Sequence, residues 1–229
     1  MANVAIITAR GGSKRIPRKN IKDFLGKPII AYSIETALNS GLFDYVMAST
    51  DDDEIAEVAK RYGAQVPFIR SKQTADDYTG TADVVLEVLN DLTIMGKQFD
   101  NACCIYPTAP FITKQSLKES YKLLIDQKFD SVFPVCPFSY PILRALKIKD
   151  SKTSMMCPEN INKRSQDLEP AYHDAGQFYW MNVHLFLKEK KLFTNNTGSI
   201  ILNELHVQDI DSEMDWKLAE LKYQLLHEA

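Results

Sequence analysis

Apolar and polar positions follow two alternating periods along most of the chain. Short runs rich in β-branched and aromatic residues predict strands, and apolar residues spaced three or four apart predict helices between them. Strands are predicted at 4–8, 45–50, 102–106, 131–135, 177–180 and 199–202. Helices are predicted from about residue 28 (Ile30, Ile34, Ala37, Leu38), after a cap at 51–53 (Ile55, Val58, Ala59, Tyr62), and on the stripes Ala82/Val85/Leu86/Leu89, Leu117/Tyr121/Leu124 and Met214/Leu218/Leu221/Leu225.

This alternation of strand and helix predicts an α/β fold. Parallel neighbouring strands need crossover connections, so we expect a mostly parallel sheet with helices on both faces, built as one domain over residues 1–229. From about residue 137 to residue 174 the alternation lapses into a polar stretch with weak periodicity. Such a stretch is too long for a simple connection, which predicts a functional insertion or an oligomerisation arm.

Charge is distributed unevenly along the chain. Its 27 Lys and Arg and 30 Asp and Glu give a net charge of -3. Residues 10–27 hold seven of the cations and one acid, a local balance of +6, which leaves -9 for the rest. That balance argues against a nucleic-acid-binding function, which needs an extended basic face. No run approaches the roughly 18 apolar residues of a membrane span, and the four cysteines form no CxxC pair, so we expect a cytoplasmic protein with reduced thiols.

The local excess of cations lies in the stretch ARGGSKRIPRKN, residues 9–20, directly after the first predicted strand. In open α/β sheets, loops at the carboxyl ends of strands bind ligands. Two glycines allow backbone N–H groups to approach an anion, and the cations add charge, which predicts a site for a compact polyphosphate such as a nucleoside triphosphate. A solvated charged loop is the alternative. The stretch contains neither GxGxxG nor GxxxxGK[ST].

A second candidate feature is VQDIDSEMDW, residues 207–216. In an extended segment Asp209 and Asp211 project to the same side, where two carboxylates suit a hard divalent cation such as Mg²⁺. A helix cap formed by Ser212 or Asp211 is an equally good interpretation of these residues. Residues 51–53 are interpreted as the cap of the second helix.

The segments ARGGSKRIPRKN, ASTDDDEIAEVAKRYGA, YPTAPF, RSQDLEPAYHDAGQFYW and VQDIDSEMDW together resemble the CMP-sialic acid synthetase family. These are cytidylyltransferases that activate nine-carbon acidic sugars. CCIYPTAPF and RSQDLEPAYHDAGQFYW are more similar to the pseudaminic acid branch than to the sialic or legionaminic acid branches. The resemblance implies a Rossmann-like three-layer fold, CTP as substrate, Mg²⁺ as cofactor, pyrophosphate release, and a homodimer whose inserted arm reaches the partner's site.

The resemblance also implies roles for individual residues. The nucleotide would be bound by Arg10, Gly11, Gly12, Ser13, Lys14, Lys19, Asn20, Arg70, Thr79, Gly80 and Thr81, and the metal by Asp209 and Asp211. Lys19, Arg10 and Asp211 would carry the catalytic step, in which the anomeric hydroxyl of the sugar attacks the α-phosphorus of CTP. Arg164, Gln166 and His173 would contact the sugar. Tyr179 and Trp180 are interpreted as core residues because they lie in an apolar alternating strand.

Two other interpretations of the sequence stay open. The first keeps the nucleotidyl transfer and changes the sugar to legionaminic, sialic or ketodeoxyoctonic acid. The second, from another functional class, is a CTP-binding sensor without catalysis, against which the paired aspartates argue.

Overall fold

The computed structural model describes residues 1–76 and 78–227. Its strands are β1 (Asn3–Thr8), β2 (Asp23–Phe24), β3 (Lys27–Pro28), β4 (Tyr45–Ser49), β5 (Asn101–Ile105), β6 (Ser131–Pro137), β7 (Leu146–Lys149), β8 (Lys152–Met155), β9 (Tyr172–Asp174), β10 (Phe178–Asn182) and β11 (Thr197–Ile201). Its α-helices are α1 (Ile29–Ser40), α2 (Asp53–Arg61), α3 (Thr81–Ile94), α4 (Lys114–Asp126), α5 (Val183–Glu189) and α6 (Glu213–His227). Every predicted strand and helix is present; α5 was not predicted.

The central sheet has the order β11-β6-β10-β5-β1-β4, with β9 pairing alongside β6. Strand β1 is parallel to β4 and β5, and β11 is parallel to β6, which confirms a mostly parallel sheet. Two strands run the other way: β10 is antiparallel to both β5 and β6, and β9 is antiparallel to β6. A strand parallel to β6 would need a crossover connection back to the amino end of β6. The chain instead returns through β9 from the carboxyl end of β6, so β10 enters the sheet in the opposite direction.

Apolar side chains fill both sides of this sheet. Ala5, Ile7 and Cys103 pack with α1, α2 and α4 on one face, while Ile6 and Cys104 pack with α3 and α5 on the other. Neighbouring strand residues thus point to opposite faces, and helices cover both. Tyr179 and Trp180 are buried, as expected for core residues.

A third apolar cluster holds α6 against the region that follows β1. Phe24 on β2 packs edge-on against Tyr32, Trp216 and Tyr223 with ring centroids 5.4–5.7 Å apart. The buried face of α6 consists of Trp216 and Ala219, whereas the stripe Met214, Leu218, Leu221 and Leu225 is exposed. The periodicity therefore identified this helix correctly, but its apolar stripe is not the face that packs on the core.

Residues 137–174 form little regular structure beyond a hairpin and the short strand β9. Strands β7 and β8 pair only with each other, and the hairpin stands apart from the central sheet. Several large apolar side chains of this segment are exposed: Phe138, Tyr140, Ile142, Leu146, Ile148, Met156 and Ile161. Within residues 1–76 and 78–227, no helix has the length and apolar character that crossing a bilayer requires.

Candidate active site

A cavity of about 420 Å³ opens beyond the carboxyl ends of β1, β4 and β5. This is the edge at which open α/β sheets bind ligands. Of the residues predicted to bind nucleotide or metal, the cavity is lined by Arg10, Ser13, Lys14, Lys19, Asn20, Arg70, Thr79, Thr81, Asp209 and Asp211. Segments from the two ends of the sequence therefore form one concave surface.

The loop after β1 is fixed in place by acids at the start of α2. The Gly11 amide donates to Asp51 Oδ1 at 2.8 Å, and a Cβ at Gly11 would lie 2.9 Å from Asp52. Gly11 is required here because of this close approach to another side chain, whereas a Cβ at Gly12 would meet no atom within 4 Å. The Gly11 N–H thus donates to a carboxylate of the chain itself and is not available to an anionic ligand.

Asp52 serves two purposes in holding this loop. Its carboxylate caps α2 by accepting from Ile55 N, as predicted, and it also accepts two hydrogen bonds from the Arg18 guanidinium at 2.6 and 2.8 Å. The bidentate pair with Arg18 is the main reason that the pKa of Asp52 falls to about 2. Arg18 has a left-handed backbone with φ of 57°, so this contact fixes the turn that precedes Lys19.

Lys19 joins the loop to the segment before α6. Its ammonium donates to the Ile210 carbonyl at 2.7 Å and lies 3.7 Å from Asp211 Oδ1. Burial lowers the pKa of Lys19, while the charges of Asp211 and Asp209 act in the opposite direction. Arg15 forms a closer ion pair with Asp211, at 2.7 Å. Asp211 therefore contacts two loop cations directly at the cavity wall.

Asp209 and Asp211 flank the buried Ile210, so both carboxylates are on the cavity side of an extended segment. Ser212 and Asp215 exchange hydrogen bonds at the start of α6: Asp215 N donates to Ser212 Oγ, and Ser212 N donates to Asp215 Oδ2. This reciprocal pair is a capping box, so Ser212 caps the helix and Asp211 does not. Loss of water and the neighbouring charge of Asp211 raise the pKa of Asp209.

These two carboxylates suit a hard divalent cation by their chemistry. Burial, and after it the charge of Asp211, raises the pKa of Asp209, and a cation bound between the two carboxylates would offset both effects. Within the described ranges 1–76 and 78–227 there is no group of three or more His, Cys, Asp and Glu that would hold a metal. Any ion here would thus take its remaining ligands from water or substrate, as Mg²⁺ commonly does.

Another part of the cavity lining consists of Arg70 and the start of α3, and Arg10 of the loop donates to the Asp76 carbonyl just before this helix at 2.6 Å. Arg70 is buried, and its guanidinium donates from Nε to Oγ of Ser49, the last residue of β4, at 3.0 Å. Helix α3 begins at Thr81 with Gly80 as its N-cap residue, and Gly80 has no side chain to occupy the first-turn amides. Thr79 donates twice to Asp76 Oδ1, which shapes the turn. A buried cation and a helix N-terminus together favour an anionic ligand.

Tyr106, which follows β5, was not among the predicted site residues. Its hydroxyl lies 2.9 Å from Thr81 Oγ1, and its ring contacts Tyr179 with centroids 5.5 Å apart. Tyr179 in turn donates to Asp174 Oδ2 at 2.6 Å. Burial raises the pKa of Tyr106 above its ordinary value. Arg15 was also missed, although it belonged to the cationic stretch that marked the loop.

The three predicted sugar residues lie outside the cavity lining of the described chain. Arg164 is exposed and pairs with Asp167 three residues later, at 2.7 Å, and Gln166 is on the same exposed turn. His173 is on β9, where its Nδ1 lies 2.9 Å from the Asp174 carbonyl and its ring contacts Phe138. The Asp174 carboxylate accepts hydrogen bonds from Gly176 N and from the Tyr179 hydroxyl.

Comparison with known proteins gives consistent results. A family model described as cytidylyltransferase matches residues 4–221. A pseudaminic acid cytidylyltransferase of Campylobacter jejuni is 46% identical over all of this chain and 99% of its own length. A CMP-N,N'-diacetyllegionaminic acid synthase of Legionella pneumophila is 33% identical over 100% of this chain and 99% of its own.

A solved structure with a similar fold is that of CMP:2-keto-3-deoxy-manno-octonic acid synthetase complexed with CTP. It aligns over 100% of both chains with a TM-score of 0.73 at 16% identity. At that identity the likeness concerns the fold alone.

Proposed function

The chain belongs to the cytidylyltransferase family, and on this premise we propose that it transfers CMP from CTP to the anomeric hydroxyl of pseudaminic acid, releasing pyrophosphate. The observation that carries the proposal is the single cavity in which the cationic loop 10–20 faces Asp209 and Asp211. A polyanion enters such a cavity only if its charge is neutralised, and both elements serve that purpose.

In this reaction the sugar hydroxyl oxygen forms a bond to the α-phosphorus, and the bond from that phosphorus to the bridging oxygen of pyrophosphate breaks. The hydroxyl proton leaves the sugar, and pyrophosphate departs as an anion. The nucleophile belongs to the substrate, so the protein supplies alignment and charge stabilisation. Lys19, held by the Ile210 carbonyl, would donate to a phosphate oxygen, and Arg10 and Lys14 would contact the triphosphate beside it.

We assign the other cavity residues to the nucleotide. Arg70, Thr79 and Thr81 line the cavity beside the first turn of α3, and Gly80 is the N-cap residue of that helix. The Asn20 side chain donates to the Arg10 carbonyl at 2.8 Å, and this contact would hold the backbone of the loop between Arg10 and Ser13 in position. Gly11 would contribute indirectly, because its close packing on Asp52 fixes the loop. Gly12 would leave the space beside the loop open, since a Cβ there would meet no atom within 4 Å.

Asp209 and Asp211 would hold Mg²⁺, since their carboxylates share the cavity with the triphosphate-binding loop. When bound, the ion would neutralise developing negative charge on the phosphates. Arg15 and Lys19 would then exchange part of their contact with Asp211 for the substrate anion.

The sugar is proposed to be held with help from a second copy of the chain. Arg164, Gln166 and His173 lie away from the cavity lining, on a segment whose hairpin and large apolar side chains are exposed. Exposed apolar patches of this kind are typical of protein interfaces. A homodimer in which residues 137–174 reach the partner's cavity would cover that surface and bring the three side chains to the sugar.

The choice of sugar rests on the 46% identity to a pseudaminic acid enzyme against 33% to a legionaminic acid enzyme. Incubation with CTP, Mg²⁺ and each of pseudaminic, legionaminic and sialic acid, with the product read by mass, tests it. We expect the CMP-sugar mass chiefly with pseudaminic acid. A greater yield of CMP-sugar with another acid would identify that acid as the substrate. Absence of pyrophosphate with every acid would favour a CTP-binding sensor.

The reaction is proposed to take place in the cytoplasm. The cysteines Cys103, Cys104 and Cys136 are buried and unpaired, which fits a reducing compartment.

A further inference from the structure

Helix α6 presents an apolar stripe to water. Met214 is 65% exposed, Leu218 42%, Leu221 62% and Leu225 63%, whereas Trp216 and Ala219 on the opposite face are buried. Single exposed leucines are ordinary, but four large apolar side chains in line on one helix form a continuous patch. The folded chain leaves this patch uncovered.

The spacing of the four residues is four, three and four, which places Leu218 and Leu225 at heptad positions a and Met214 and Leu221 at positions d. A strict a/d stripe is the narrow seam by which one helix pairs with another helix. We propose that this stripe of α6 pairs with the same stripe of a second copy, with the two helices antiparallel across a two-fold axis. The contact is self-complementary, because Leu218 of each copy meets Leu221 of the other.

The charges beside the stripe select the antiparallel arrangement. Asp215 and Lys222 occupy the e positions, and Lys217 and Gln224 occupy the g positions. Antiparallel helices bring e to e and g to g, so Asp215 of each copy faces Lys222 of the other. Parallel helices would bring g to e, which sets Lys217 against Lys222. Both side chains have partners in their own chain: Lys222 donates to the carbonyls of Glu204 and Val207, and the Asp215 carboxylate accepts from Ser212 in the capping box. These partners are uncharged, so the two opposite charges remain beside the stripe.

This surface is separate from the arm at residues 137–174. If the arm makes one two-fold contact, α6 makes a second, and four chains assemble. Two heptads of one helix bury less than the roughly 1,200–2,000 Å² of a stable standard interface, so the α6 contact should be concentration-dependent in the micromolar range.

Sedimentation of the full chain across a concentration series tests this proposal. We expect the native protein to show a doubling step, and Leu221→Glu to raise the dissociation constant of that step by at least about tenfold, because a charge would enter an apolar seam. Ile94→Glu, at an 84% exposed position ending α3, is the matched control and should leave the step unchanged. Equal sedimentation of the native and Leu221→Glu proteins across the series would overturn the proposal, as would a native protein that never doubles.

Cross-linking tests the direction of the helices. The background is Cys157→Ser, which removes the one half-buried thiol among the cysteines. Leu218→Cys and Leu221→Cys proteins are oxidised each alone and, in a third sample, after they have been mixed. The antiparallel pair predicts a disulfide mainly in the mixture, since position 218 meets position 221. Equally rapid cross-linking of each protein alone would contradict the antiparallel pairing.

Discussion

Residues 10–22 and residues 137–174 both leave the sheet at the carboxyl end of a strand, yet they are anchored differently. The first segment is fixed by partners far along the sequence: Arg18 to Asp52, Lys19 to Ile210 and Lys22 to Glu213. In the second, the Arg164–Asp167 pair and the β7–β8 hairpin are local. The difference teaches that one chain completes the wall proposed to bind the triphosphate, whereas the proposed sugar residues need a further contact to bring them to the cavity.

The largest expected effect is the loss of Lys19. Lys19→Ala should lower kcat by about 10²–10³-fold, because it removes a charged donor positioned at the phosphates. Steady-state pyrophosphate release measures this. Lys27→Ala removes a cation of the basic region 10–27 that pairs with Glu35 outside the cavity, and this variant should stay within about twofold of the native rate. A Lys19→Ala protein that is folded and fully active would remove Lys19 from the mechanism.

The arm predicts a different kinetic pattern. Arg164→Ala should raise KM for the sugar acid by about 10- to 100-fold through loss of a charge partner for its carboxylate, and leave KM for CTP unchanged. Varying each substrate at saturation of the other separates the two constants. Lys163→Ala, the neighbouring exposed cation, is the control. If KM for CTP rises and KM for the sugar does not, the two regions have been assigned the wrong substrates.

The anchoring of the loop should also contribute to stability. Asp52→Asn removes a carboxylate whose pKa is about 2 in the folded chain, against an ordinary value of 3.8. The native stabilisation is present above the ordinary value and is lost as pH falls toward 2, so the variant should be less stable by about 1–2 kcal/mol at pH 7. Denaturant unfolding at pH 7 and near pH 2 measures the difference, which should shrink in acid. A gap that is constant with pH would mean that the Arg18 pair contributes little.

The sequence predicted most of this fold because the strands and helices of the core carry strong periodic patterns. It did not predict that β10 runs antiparallel, since alternation alone does not show where the chain re-enters the sheet. Short helix α5 was missed because seven residues give too few turns for a period. On α6 the apolar periodicity indicated the stripe Met214, Leu218, Leu221 and Leu225, which is exposed. The face that packs on the core carries only one large apolar ring, Trp216, and a single residue gives no period.

The cavity was predictable where charge is concentrated in the sequence, and less so where contacts depend on tertiary structure. The cationic loop and the two aspartates were identified, and they do line one cavity. Tyr106 was missed because its hydroxyl meets Thr81 only when β5 and α3 are packed together. The use of the Gly11 amide by Asp51 was likewise hidden, since 40 residues separate them.

The proposed function requires that the loop binds the triphosphate, and the paired aspartates the metal, of one metal–CTP complex. Titration calorimetry of CTP, with and without Mg²⁺, tests it most directly in the native chain and in the Asp209→Asn/Asp211→Asn variant. We predict that Mg²⁺ tightens CTP binding only to the native chain, and that the variant binds metal-free CTP at least as well because two repelling charges are gone. An equal gain from Mg²⁺ in both proteins would contradict the claim.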